Sequence, residues 1–130
     1  MPFDFAPSDL SPNQHCGLAN YHAGMAAEEA VADTYSRRGF EPLARRWRGK
    51  AGEIDLIFGQ GGDLVFVEVK KGRDFTAAAE HLTPRQIARI SAAAEEFAGL
   101  SPDHALAGLR IDAALVDDLG RIDILENITL

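Results

Sequence analysis

The sequence predicts an α/β domain with a central mixed β-sheet flanked by helices, and three observations carry that prediction. First, two β-rich runs, EIDLIF (53–58) and LVFVEVK (64–70), flank a glycine-rich break at 59–62. That is the signature of a β-hairpin. Second, alanine-rich segments with helical spacing lie on either side of the hairpin, over about 18–38 and 84–98. Third, two more β-rich runs, 109–117 and 121–130, follow the second of these segments. Helix, strand, hairpin, helix, strand, strand is the order of a sheet with helices on its faces.

Composition sets the outer bounds. A chain of 130 residues with 46% apolar content is one globular domain by length. Residues 1–17, with Pro2, Pro7 and Pro12, read as a loosely ordered tail, and 18–130 as the domain. The single cysteine, Cys16, excludes an internal disulfide. No apolar run approaches ~20 residues, so neither a transmembrane helix nor contact with a membrane is expected. The N-terminus lacks the pattern of a secretory signal, which makes the cytoplasm the default. The net charge is −7, but it is unevenly spread. The segment from Arg37 to Arg89 carries +4, the residues before it −5 and those after it −6. A basic middle can contact phosphates despite an acidic total; a solvated mixed-charge surface accounts for it equally well.

In the first helix Gly24, Glu28, Val31 and Tyr35 form one stripe, and Gly39 sits where a C-terminal cap belongs. Residues 41–48 (EPLARRWR) read as a strand entering the hairpin, with Pro42 at its start. A hairpin turn centred between Gly61 and Gly62 sets Asp55 across from Glu68, Glu53 across from Lys70 and Ile57 across from Phe66. Side chains alternate between faces, so Glu53, Asp55, Ile57, Phe66, Glu68 and Lys70 share one face. Ile54, Leu56, Phe58, Val65, Val67 and Val69 make a second, wholly apolar face. Residues 71–82 read as a connecting loop. Thr83 is the N-cap of the second helix, with Pro84 at its first position and Gln86 placed to complete a capping box. Ile87, Ile90, Ala94 and Phe97 are its core stripe. In the strand at 109–117, Arg110 and Asp112 share a face and are expected to form an ion pair, whereas Asp117 and Asp118 read as a solvated turn.

The chemistry concentrates at the open end of the hairpin. Like charges directly opposed across two strands are destabilising, so Asp55 against Glu68 requires a neutralising partner. A hard divalent cation is one, because such ions bind through one or two carboxylates plus substrate phosphates. Lys70 and nearby arginines on a solvated face are the other.

The pattern GEIDLI (52–57) followed by LVFVEVK (64–70) resembles the YraN family of uncharacterised bacterial proteins, UPF0102. Through it the chain resembles the PD-(D/E)xK, restriction-endonuclease-like superfamily, which includes Holliday junction resolvases. The resemblance runs from about Gly24 to the C-terminus. It implies an αβββαβ core, and it implies a metal-dependent nuclease with Asp55 and Glu68 on Mg²⁺ or Mn²⁺ and Lys70 as the catalytic lysine. Glu28, four residues after Gly24, matches an auxiliary catalytic or metal-binding glutamate. Glu53 is a further candidate metal ligand, or else a cross-strand partner of Lys70. DNA is the implied partner, branched DNA included, and cutting two strands would favour a homodimer. The implied nucleic-acid contacts are Arg46 and Arg48 around Trp47, then Lys71, Arg73, Arg85, Gln86 and Arg89. The chain departs from the family at two of these places. The usual arginine two residues beyond the motif lysine is Gly72 here, with Arg73 following, and the usual lysine at 86 is glutamine. A non-catalytic nucleic-acid-binding or protein-interaction module that keeps the fold is the alternative reading.

Overall fold

A computed structural model describes residues 12–128, with side chains from residue 24 onward. Helix α1 (Pro12–Arg37) leads into β1 (Glu41–Arg48), β2 (Glu53–Gln60) and β3 (Asp63–Lys71). Helices α2 (Phe75–Glu80) and α3 (Pro84–Ala98) follow, then β4 (Leu109–Val116) and β5 (Ile122–Leu125). The five strands lie in sequential order. All neighbours are antiparallel except β3 and β4, which are parallel and joined by the α2–α3 crossover. The mixed sheet and its flanking helices follow the order of the restriction-endonuclease-like core. Helix α1 starts at Pro12, upstream of the expected Leu18, so the part of the supposed tail from residue 12 is helical; residues 1–11 lie outside the described chain.

The hairpin closes as its glycines require. Gln60 pairs with Asp63, and Gly61 and Gly62 take positive φ of 58° and 89°. Both central residues of such a two-residue turn need that conformation, and glycine adopts it without penalty. With the turn fixed, alternation sorts the strands. Leu56, Phe58, Val65 and Val67 pack against Ala27, Val31, Ala32 and Tyr35 of α1. Ile57, Leu64 and Phe66 pack against Ile90, Ala93 and Ala94 of α3 on the other side. Ile54 departs from the expected division and joins the α3 side. Its partner strand β1 has a register shift between Pro42 and Ala44 and a left-handed residue at Arg46 (φ 49°), and such irregularities bend and twist a strand locally.

Two acids are more deeply embedded than their sequence context suggests. Asp112 is fully buried. It accepts two bonds from the Arg110 guanidinium (3.0 and 3.0 Å), one from the Tyr35 hydroxyl (2.7 Å) and one from the Asn127 amide (3.0 Å). The expected Arg110–Asp112 pair is therefore present, as part of a junction tying α1, β4 and the C-terminal segment. Asp117 is also buried and not a solvated turn residue. It accepts from the amides of Leu119 and Arg121 and from the Arg121 guanidinium. The chain reverses around this carboxylate, which takes the place of water for the turn's amides.

The segment after Lys71 is not wholly a loop. Asp74 caps α2 by accepting from the Ala77 amide (2.8 Å). The Gly72 amide bonds to the Val116 carbonyl (3.0 Å), and a Cβ at residue 72 would run into the backbone of Ala77 and Ala78. An arginine at this position has no room, which explains that departure from the family pattern. Gly72→Ala is expected to destabilise the fold by about 1–3 kcal/mol through overpacking, read as a lowered midpoint in denaturant unfolding. An unchanged midpoint would show that α2 shifts freely.

Candidate active site

The β2–β3 pairing runs from Gln60↔Asp63 to Leu56↔Val67. Continued by one residue, that register sets Asp55 opposite Glu68, on the side of the sheet that faces α3. The Asp55 carboxylate also accepts from the Val69 amide (2.8 Å), and its charge acts directly on Glu68. Glu68 is buried, at 9% exposure. Burial first, then the Asp55 charge, pushes its pKa up to about 7, against the opposing effect of Lys70. Asp55 is raised as well, by burial, and this is offset by the Val69 amide and the Lys70 charge. The two titrate as a pair.

Lys70 reaches Glu68, with Nζ 3.3 Å from Oε2. The expected cross-hairpin pairing of Lys70 with Glu53 is not formed. Glu53 is exposed and takes the Arg48 guanidinium instead (2.7 Å). The cause is local: the buried carboxylate two residues along the same strand face offers Lys70 a desolvated partner, and a pair in low dielectric is stronger than one in water. Glu28, on α1, is bonded to Arg46 Nε at 3.0 Å. Burial raises its pKa, the Arg46 bond opposes this, and the Asp55 and Glu53 charges raise it further. Glu28 thus borders the acid pair electrostatically.

A cleft of about 190 Å³ opens over the pair, lined by Gly52, Glu53, Asp55, Glu68, Gln86, Arg89 and Ile90. Helix α3 supplies Gln86 and Arg89 because its N-terminus is fixed beside the sheet. Thr83 Oγ1 accepts from the Gln86 amide (3.2 Å), as expected of the N-cap. The reciprocal half of the capping box is not made. Gln86 Oε1 is buried and has no hydrogen-bond partner among the described residues.

The expected nucleic-acid contacts are not one surface. Arg89 lines the cleft, and Arg85 is exposed on the same helix. Arg46 and Arg48 are engaged by Glu28 and Glu53. Arg73 turns toward Asp74 (3.8 Å). Lys71 does not share a groove with Arg89. It lines a separate hollow with Ala26, Ala27 and Ala30 of α1, because adjacent strand residues face opposite sides of a sheet. Trp47 is half-buried and packs edge-on against Phe97 at 5.4 Å, so it serves the core.

One organising residue had no signal in the sequence. Glu96, near the end of α3, accepts from the amides of Lys50 and Ala51 (2.9 and 2.9 Å). It thereby fixes the β1–β2 connection, whose Gly52 forms the cleft rim and lies against the Arg89 side chain. Contacts between segments so far apart have no local pattern to betray them.

Among the described residues, no three His, Cys, Asp or Glu side chains converge on one point. Of the three carboxylates lining the cleft, Glu53 is paired with Arg48, which leaves Asp55 and Glu68 as the adjacent donor pair. It suits a hard cation that keeps several waters and not a closed protein cage. Burial raises both acids, and a cation at this pair would supply the missing positive charge. No described helix is long and apolar enough to cross a membrane.

Fold and site together define an α/β protein with an endonuclease-like core and a partly buried acid–acid–lysine cluster at the end of its central hairpin. Comparison with known proteins gives the family. The profile of the uncharacterised protein family UPF0102 matches residues 27–125. A UPF0102 protein of Ruegeria pomeroyi is 53% identical over 111 residues, covering 85% of this chain and 90% of the relative. One from Cereibacter sphaeroides is 52% identical over 111 residues, covering 85% and 95%. One from Dinoroseobacter shibae is 45% identical over 126 residues, covering 94% of each. The chain belongs to the UPF0102 family, as its hairpin motif led us to expect.

Proposed function

We propose that this protein is a divalent-metal-dependent nuclease that hydrolyses DNA phosphodiester bonds, with branched and junction DNA among its substrates. The observation that carries this reading is the pair of buried Glu68 and half-buried Asp55 beside Lys70, opening into a cleft that also holds Arg89. Two largely desolvated carboxylates set side by side destabilise the fold as the pH rises, and a structural role alone does not require them. Perturbed acids in a cleft are the usual mark of a reacting site.

Asp55 and Glu68 would hold Mg²⁺ or Mn²⁺, which when bound polarises a phosphate and acidifies water. The protein's own groups divide the remaining work. The Val69 amide fixes the Asp55 carboxylate. Lys70, 3.3 Å from Glu68, would stabilise negative charge developing on a phosphate. Arg89 offers the phosphate a guanidinium, and among the described residues no carboxylate pairs with it. Glu28 and Glu53, with Arg46 and Arg48, form the outer ring of charge that a DNA backbone would rearrange.

The test is cleavage of labelled duplex, single-stranded, flap and four-way-junction DNA with Mg²⁺ or Mn²⁺, beside Asp55→Ala and Glu68→Ala. Cleavage by the parent and its loss by at least about a thousandfold in both folded variants is the expected result. Equal cleavage by parent and variants would overturn the assignment. Salt-sensitive DNA binding with no cleavage would favour a binding module.

A further inference from the structure

Gln86 stands out on three counts. Its carboxamide oxygen is buried and without a partner among the described residues. Its side chain lines the same cleft as Asp55 and Glu68. Its oxygen does not accept from the Thr83 amide, the bond a capping box would make, so helix capping does not account for the side chain. A buried polar atom with no partner is costly and calls for an explanation such as a water or an ion. The facing groups narrow the choice. Asp55 and Glu68 offer oxygens, and an acceptor oxygen on Gln86 cannot bond to them without hydrogens placed between. Whatever occupies the cleft must therefore bring its own donors. Water held on a hard cation does this, since the cation takes the carboxylates and its waters point their hydrogens outward. With no third His, Cys, Asp or Glu converging on the pair among the described residues, Gln86 is the neutral polar side chain that completes the cleft wall.

We infer that Gln86 positions the hydration water of a divalent cation bound at Asp55 and Glu68, with its carboxamide oxygen accepting a hydrogen bond from that water. This rests on the metal-site reading of the cleft and assigns Gln86 to the ion's waters and not to the DNA phosphate. Partners that act on a metal through its ligands or waters typically change affinity by about tenfold or more. The neutral amide also matters for charge. A lysine at this position would set a further cation beside the ion, whereas glutamine adds none.

The test needs no DNA. Binding of Mn²⁺ alone is measured by titration calorimetry at pH 8 for the parent, Gln86→Ala and Gln86→Glu, with thermal melting of each protein free of metal. Gln86→Ala is expected to bind Mn²⁺ about tenfold more weakly, yet to melt no lower than the parent without metal, because it removes an unpartnered buried oxygen. Gln86→Glu is expected to bind more tightly, since a charged acceptor holds the water more strongly. Unchanged affinity in Gln86→Ala would overturn the inference and leave the metal site standing. Weaker binding by Gln86→Glu would also overturn it, showing that the amide acts as a donor. A parent protein that binds no Mn²⁺ at millimolar concentration would overturn both the inference and the metal-site reading.

Discussion

Asp112→Ala is expected to cost about 3–5 kcal/mol of folding stability, the range for removing one partner from a buried ion pair. The reason is the number of groups left behind. Arg110 loses a two-pronged partner. The Tyr35 hydroxyl, on a residue only 1% exposed and stacked against Phe58, loses its acceptor. The Asn127 amide loses the bond that ties the C-terminal segment to β4. Tyr35→Phe removes one of these bonds while keeping the ring, and should cost only about 1–2 kcal/mol. Urea unfolding of the two variants gives both values. A loss below about 1 kcal/mol for Asp112→Ala would show that the junction is solvated and interchangeable.

The acid pair makes both stability and metal affinity depend on pH, in opposite senses. Glu68 holds its proton more tightly in the folded state, with a pKa of about 7 against an ordinary value of 4.5. The folded protein therefore binds more protons than the unfolded chain between those limits, and stability falls as pH rises through them. The contribution is fully present below about 4.5 and lost above about 7. Glu68→Gln removes the charge that burial disfavours. It should be more stable than the parent at pH 8 and show no such advantage at pH 5, as urea unfolding at the two values will show. A cation must displace the proton that Glu68 holds, so its affinity should drop by about tenfold for each pH unit below 7. Calorimetry of Mn²⁺ binding at pH 6 and 8 reads this directly. A pH-independent affinity would mean that the pair is not the binding site.

The features legible from residue order are those that depend on near neighbours. Gly61 and Gly62 specify the turn, the turn specifies the register, and the register brings Asp55 to Glu68. Thr83 and Pro84 fix the start of α3 for equally local reasons. Period-two alternation assigned most of the hairpin to its two faces, and it also separates Lys71 from the cleft once the strand is extended by one residue. The tertiary structure alone decided the rest. Lys70 had two acids in reach, and burial of Glu68 selected it over Glu53. Asp112 and Asp117 look like ordinary polar residues until distant segments remove their water. Glu96 holds the cleft rim from the far end of another helix. Gln86 fits a capping box by spacing, yet its oxygen is left without a partner inside the cleft. Hydrogen bonds in turns and caps join residues within a few positions and leave a readable pattern. Desolvation depends on everything packed around a group, and no short stretch of sequence encodes that.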